Sequence, residues 1–133
     1  MQPDVQRLIA ESERLTAISG QADGTGGFLA LAFHFPEGTL HLRCDRDTDE
    51  IIAEVKAAGS LAYATVDDGS LAALVGMYPE YAWEMTNHRG YTDGFQLRFT
   101  DEEKREQTRQ FEGAASTISV LAVTEHRDIA NPS

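Results

Sequence analysis

A short polar stretch between two apolar segments holds the residue types that could do chemistry. Asn87, His88, Tyr91 and Asp93 lie close together, and the single tryptophan, Trp83, stands just before them. A neutral histidine beside a carboxylate can act as a general base. Asn, Gly and Asp are also the residues that a tight turn needs, and Tyr and Trp often anchor interfaces. The stretch therefore indicates a structural turn, an interaction or ligand surface, or a catalytic site.

Three carboxylates at Asp45, Asp47 and Asp49 are spaced like the start of a calcium loop. Such a loop needs glycine at its sixth position and a bidentate acid at its twelfth. Those positions are Glu50 and Lys56 in this chain. The pattern therefore predicts an acidic surface turn and no metal site.

Other groups that could do chemistry fit plainer roles. The glycine-rich loop 23–27 precedes a strand and has no lysine, whereas a phosphate cradle follows a strand and opens a helix. Cys44 lies on the apolar side of a strand, as a buried small hydrophobe would. His34 and His41 could face each other across a hairpin, but no third metal ligand accompanies them at a suitable spacing. We expect no catalytic residues, no cofactor and no metal.

The polar stretch is predicted to join two strands of a hairpin. Trp83 and Met85 alternate with polar residues before it, and Phe95, Leu97 and Phe99 do so after it. A period of two is typical of a strand with one buried face. The alternation predicts that Trp83 and Met85 lie on the same apolar side as the three residues after the turn.

The rest of the chain predicts one helix and several short strands. Residues 3–19 have apolar side chains at helical spacing, with Gly20 as a C-terminal cap. Residues 100–109 are very polar and fit either a solvated helix capped by Thr100 or a mobile loop. Short turns imply antiparallel pairing of the remaining segments. Strands are expected at 28–35, 39–44, 61–66 and 117–124, and at 50–56, where a short helix is the alternative. Ser70 could also cap a second, short helix that ends at Gly76.

These elements predict a single α+β domain over residues 1–133. Its β-rich core, residues 28–125, would be an antiparallel sheet of about five to six strands, a meander plus a hairpin. The amphipathic helix at 3–19 would pack on one face of the sheet. Residues 126–133 have the composition of a frayed tail.

The charge of the chain excludes several kinds of partner. Eleven basic residues against 22 acidic residues give a net charge of −11. Nucleic acids and anionic membranes need a basic surface, so neither is an expected partner. A lone cysteine, Cys44, and an N-terminus without an apolar signal segment favour a reducing cytoplasm. The longest apolar run, 28–33, is too short to span a bilayer, so we expect a soluble protein.

Two stretches together resemble a known group of proteins. Leu40 to Ile52 forms an apolar strand that enters an Asp-Thr-Asp-Glu turn, and the segment from Leu74 to Leu97 carries Trp83 and the pattern Asn-x-x-Gly-Tyr-x-Asp. They are similar to a family of small bacterial proteins classed as a domain of unknown function. The resemblance covers residues 28–125 and leaves out the first helix. It implies a bacterial, cytoplasmic, compact β-rich domain and no particular activity.

The absence of a complete catalytic motif favours a non-enzymatic binding or protein-interaction module. Its partner would be a second copy, bound through a sheet edge or the Trp83/Tyr91 region, or a basic protein attracted by the acidic surface. The alternative is a small-molecule binder or small enzyme. That alternative requires one concave site, whereas a flat exposed surface favours the interaction module. Its site residues would be Asn87, His88, Tyr91 and Asp93.

Overall fold

A computed structural model describes residues 1–123. These residues form two helices and nine strands. In chain order the elements are α1 (Pro3–Glu11), β1 (Ala17–Ala22), β2 (Phe28–Phe35), β3 (Gly38–Cys44), β4 (Ile51–Lys56), β5 (Ala64–Thr65), α2 (Gly69–Ala72), β6 (Tyr78–Thr86), β7 (Thr92–Thr100), β8 (Glu106–Ala114) and β9 (Thr117–Val123).

The strands form one curled antiparallel sheet. Its order is β4-β3-β2-β9-β8-β7-β6, with β1 paired to β2 and β5 paired to β1. The two halves join at a single register pair, Phe28 with Ile118. The α+β class and the antiparallel sheet agree with the prediction from sequence. The predicted five to six strands are too few, because the described residues contain nine.

Aromatic rings from the two halves of the sheet meet in the core. Phe33 of β2 packs edge-on against Phe111 of β8, with ring centroids 5.6 Å apart. Phe35 stacks on Phe99 of β7 at 6.5 Å. Both arrangements are favourable for aromatic pairs. Helix α1 contacts β4 and β6, the two ends of the sheet order, and thereby covers the opening between them.

The first helix is shorter than the predicted 3–19. It ends at Glu11, and residues Ala17–Ala22 form β1, which pairs with β2. Leu15 is buried as its apolar spacing indicates, but its backbone pairs with Gly76 and Met77, which draws the chain out of the helix. Tertiary pairing here overrides a local helical pattern. The predicted cap, Gly20, therefore lies inside a strand.

The polar segment after Thr100 is neither a helix nor a loop over its whole length. The Asp101 carboxylate accepts hydrogen bonds from the backbone N–H groups of Glu103 and Arg105, which forms a tight turn. Strand β8 then begins at Glu106 and pairs with β7 along its length. Aspartate side chains compete with the helix for backbone N–H groups in this way. The segment that resembled the start of a helix is therefore a turn.

The remaining strand predictions largely agree with the structure. The segments predicted at 28–35, 39–44 and 50–56 correspond to β2, β3 and β4. Of the predicted strand 61–66, only Ala64–Thr65 pairs with a neighbour. Residue 124 and the predicted tail, 126–133, lie outside the described residues.

Four connecting loops meet at one end of the sheet. The Asp23 carboxylate accepts a hydrogen bond from the Thr117 hydroxyl, and Asp49 Oδ1 accepts one from Ser116 N at 2.7 Å. Glu50 Oε2 accepts one from Thr92 N at 3.0 Å. These contacts place the polar turn predicted from sequence beside the acidic turn at 45–49.

Candidate functional site

The Asn87 side chain organises the turn between β6 and β7. Its Oδ1 accepts hydrogen bonds from Arg89 N at 2.9 Å and Tyr91 N at 3.1 Å. Its Nδ2 donates to Asp93 Oδ2 at 3.2 Å. Gly90 completes the turn with a φ of 87°, a conformation that glycine adopts at low cost. Asn87 and Asp93 therefore satisfy their polar groups largely within the turn itself.

Four of the five predicted site residues line one open cavity of about 460 Å³, together with the acidic turn. They are Asn87, His88, Tyr91 and Asp93. His88 and Tyr91 are exposed, and no hydrogen bond between His88 and Asp93 occurs among the described residues. Such a bond would orient the His88 ring for base catalysis. The structure thus brings the four residues together without forming an acid–base pair.

The fifth residue, Trp83, lies away from that cavity, on the opposite face to the one predicted. The register pairs Trp83 with Gln96, whereas Phe95, Leu97 and Phe99 face the core. Trp83 is 38% exposed. A register shift between Met85 and Thr86, next to the turn, pairs Trp83 with Gln96 instead of Phe95, which is why the apolar pattern did not reveal its side.

Trp83 belongs to an aromatic platform formed by Tyr81, Trp83 and Arg98. The two rings stack with centroids 5.4 Å apart. The Arg98 guanidinium lies 5.6 Å from the Tyr81 ring centroid and 5.4 Å from that of Trp83. Cation–π contacts at this range bring the three side chains together as one contiguous surface. Arg98 is also 4.0 Å from Glu80 and 3.9 Å from Glu106.

The aromatic platform continues across the outer face of β6–β9, the side opposite the core. Register places Trp83, Gln96, Gln110 and Leu121 in one row across the four strands. Gln96 Nε2 donates to Gln110 Oε1 at 2.7 Å, and Leu121 is 47% exposed. The interpretation of the sequence missed Tyr81, Arg98 and Leu121. Alternation counted from the buried Phe95 and Ile118 would have placed Arg98 and Leu121 on this face.

The acidic turn uses its carboxylates to bind its own backbone. Asp45 Oδ1 accepts hydrogen bonds from Asp47 N at 2.8 Å and Thr48 N at 3.1 Å, and these bonds lower the pKa of Asp45. Asp49 accepts a hydrogen bond from a neighbouring loop, and Glu50 accepts one from a neighbouring loop and one from the Thr48 hydroxyl. Among residues 1–123, no group of three or more His, Cys, Asp or Glu side chains could hold a metal ion.

The glycine-rich loop is also organised by one carboxylate. Asp23 accepts hydrogen bonds from the Thr117 hydroxyl, from the backbone and hydroxyl of Thr25, and from Gly27 N. Together they lower the pKa of Asp23 to about 2, with the Thr117 hydroxyl contributing most. The loop connects β1 and β2, and these hydrogen bonds hold it in place.

Cys44 is buried, as its pattern predicts. Burial raises the pKa of its thiol, and the nearby Asp49 and Asp45 add to the shift. A raised pKa leaves little thiolate near neutral pH, and the thiolate is the nucleophilic form.

The two strand histidines share a face but are not cross-strand partners. His34 pairs with Thr39, and His41 pairs with Ala32. His34 Nε2 lies 2.7 Å from the Ser19 hydroxyl, and His41 Nε2 lies 3.0 Å from the Tyr63 hydroxyl. Burial lowers the pKa of both imidazoles, so each favours its neutral form.

A profile of the family of unknown function DUF6334 matches residues 1–127 of the chain, and the protein belongs to that family. The match confirms the resemblance seen in the sequence and also includes the first helix. No curated protein and no solved structure matches the chain. Within residues 1–123, neither helix has the length and apolar character needed to cross a bilayer.

Proposed function

We propose that this protein is a non-enzymatic binding module that engages a basic protein through the outer face of β6–β9. The main observation that supports this proposal is the aromatic platform. Tyr81 and Trp83 are 51% and 38% exposed, and Arg98 fixes both rings in place. Trp, Tyr and Arg are the residue types that dominate binding energy at protein interfaces, and rings fixed before binding lose little entropy.

The charge around the platform favours a basic partner. Glu80 and Glu106 lie beside Arg98, and Glu112 is exposed further along β8. The whole chain carries a net charge of −11. Two copies meeting through this face would bring like charges together, whereas a basic protein would gain attraction and a faster encounter. A basic partner therefore fits better than a second copy.

The test compares the wild-type protein with the Tyr81→Ala/Trp83→Ala double variant. Each is immobilised and used to capture proteins from a lysate of the native host, and captured proteins are then purified and titrated directly. Loss of two central aromatic residues should weaken binding by about 2 kcal/mol or more, which is roughly 30-fold. Tyr91→Ala is the matched control, because Tyr91 is 42% exposed but lies at the tip of the hairpin.

Several outcomes would overturn the proposal. The double variant could bind a purified partner as tightly as wild type, or Tyr91→Ala could be the variant that loses binding. A partner without excess basic charge, or an affinity that does not fall with salt, would contradict the electrostatic part. Light scattering that gives twice the 14.6 kDa chain mass, with the dimer lost in the double variant, would assign the face to a second copy.

We also propose that residues 1–133 form one domain that acts in a bacterial cytoplasm. One contiguous cluster of buried residues supports the single domain, since it includes side chains from α1 through β9. The lone cysteine and the family resemblance support the setting. Fractionation of the native host would test the location.

A further inference from the structure

A second concave surface lies on the other half of the sheet. It has a volume of about 710 Å³ and is formed by β2, β3, the start of the acidic turn and the segment that carries Tyr63. Leu29, which is 41% exposed, and Ala30 give it an apolar floor. His41, Arg43 and Arg46 give it polar groups. We call this surface the His41 pocket.

His41 is the most deeply buried polar residue of the pocket, with 7% of its surface exposed. Its Nε2 lies 3.0 Å from the Tyr63 hydroxyl, and the two rings stack at 5.8 Å. Its Nδ1 has no hydrogen-bond partner among the described residues. Glu54 Oε1 lies 3.7 Å from Nδ1, which is beyond hydrogen-bond distance. This nitrogen is shielded from solvent and lies beside Glu54, which does not line the pocket, so the part of His41 that a ligand would meet is the side next to Tyr63.

The pocket also holds two arginines with free N–H donors, although Arg43 is ion-paired with Glu54. Arg43 Nε donates to Glu54 Oε1 at 3.3 Å, and no other hydrogen bond of this guanidinium occurs within residues 1–123. Arg46 is exposed, and its guanidinium forms no ion pair within the same residues. A guanidinium has five N–H donors, so both arginines keep most of their capacity to bind an anion.

Two carboxylates, Asp45 and Asp47, also line the pocket and must be weighed against the arginines. Asp45 Oδ1 already accepts two backbone hydrogen bonds from its own turn. Only Asp47 is left as an exposed acidic group on the rim. The two arginines and two aspartates of the lining cancel in formal charge, so the preference for an anion rests on the guanidinium N–H donors, which outnumber the carboxylate oxygens left without a partner.

We propose that the His41 pocket binds a small organic anion, a carboxylate or phosphate ester with an apolar body. The anionic group would contact Arg43 and Arg46. The apolar body would lie on Leu29 and Ala30, and a polar substituent could reach His41. The site is separate from the outer face of β6–β9, so it stands independently of the protein-binding function.

Four aromatic probes that differ mainly in charge test whether the pocket prefers an anion, a cation or a neutral ligand. Isotope-labelled full-length protein is titrated with phenylacetate, phenyl phosphate, phenethylamine and phenethyl alcohol, and the ring signals of His41 and Tyr63 are followed by NMR. Phenylacetate or phenyl phosphate should shift these signals saturably at concentrations up to about 10 mM. The amine and the alcohol should bind about tenfold more weakly or not at all, because they lack the charge-assisted bonds.

Substitutions then locate the site. Arg43→Gln and Arg46→Gln should each weaken binding of the anionic probe about tenfold. Arg46→Gln is the safer variant for folding because Arg46 is exposed. Arg89→Gln, an exposed arginine at the hairpin turn, and Trp83→Ala on the outer face should leave probe binding unchanged. The proposal is overturned if no anion shifts the His41 signals saturably, if phenethylamine binds best, or if Arg46→Gln binds like wild type.

Discussion

The hairpin turn at residues 87–91 and the His41 pocket contain similar residue types but use them differently. In the turn, the Asn87 side chain accepts hydrogen bonds from the backbone N–H groups of Arg89 and Tyr91 and donates one to Asp93. Its polar atoms are therefore satisfied locally. In the pocket, His41 Nδ1 has no hydrogen-bond partner among residues 1–123. Polar residues that close their own turn stabilise the fold, whereas the guanidinium donors of Arg43 and Arg46 that line the pocket remain available to a ligand.

The largest effect should come from Gly113, at the end of the molecule where the turns meet. A Cβ added at this position would collide with the Asp49 carbonyl oxygen, which is backbone and cannot move away easily. Gly113→Ala should therefore lower the free energy of unfolding by about 3 kcal/mol, as overpacking does. Gly69→Ala is the control, since a Cβ there would meet nothing within 4 Å. Urea unfolding would measure the stability of both variants. Equal stabilities would show that the end of the sheet where the loops meet is loosely packed.

Asn87→Ala should have the next largest effect. It removes three hydrogen bonds that shape the turn, and a loss of about 1–2 kcal/mol in unfolding free energy is expected. His88→Ala, one position further on and exposed, should change stability by less than about 0.5 kcal/mol. Chemical denaturation of the two variants checks the contrast. A stability loss at His88 equal to that at Asn87 would contradict the structural role assigned to Asn87.

Tyr63→Phe tests the pocket in the same way and should cost less. It removes the hydroxyl that lies 3.0 Å from His41 Nε2, so about 1 kcal/mol of stability should be lost. A stability loss larger than that of Asn87→Ala would mean that the His41–Tyr63 contact is mainly structural, like the bonds of the hairpin turn.

Acid should destabilise the protein gradually through the two buried histidines. Burial lowers the pKa of His34 and His41 in the folded state, so the unfolded chain binds more protons as the pH falls through about 6.5. The free energy of unfolding is therefore highest above that pH and decreases below it. Melting temperatures measured between about pH 8 and about pH 5 should fall less steeply in His41→Gln than in wild type. An identical pH dependence would contradict the burial effect.

The sequence predicts most of the strands but not the positions of the key side chains. Alternation located β2, β3 and β9 because each has one face in the core. It failed at Leu15, whose spacing fits a helix but whose backbone pairs with a distant segment. It also placed Trp83 on the wrong face, since the register shift between Met85 and Thr86 in β6 is invisible in the pattern of residues.

The hairpin turn and the His41 pocket differ in how far the sequence could reveal them. The turn residues Asn87 and Asp93 are neighbours in sequence, so their proximity was predictable. His41 and Tyr63 come together only because the segment after β4 folds back over β3. Contacts between distant segments depend on the whole topology, which local patterns do not contain.

The pair Phe28–Ile118, which joins the two halves of the sheet, has a consequence for how the chain folds. Strands β6 to β9 are consecutive hairpins and can pair while they are still separate from the rest. The join must instead bring together residues that are far apart in sequence, and such closures carry a large entropy cost. We expect the meander to form first and the junction at Phe28 to close late. The rate of folding should then depend on the length of the connection between β4 and β6 more than on any single turn.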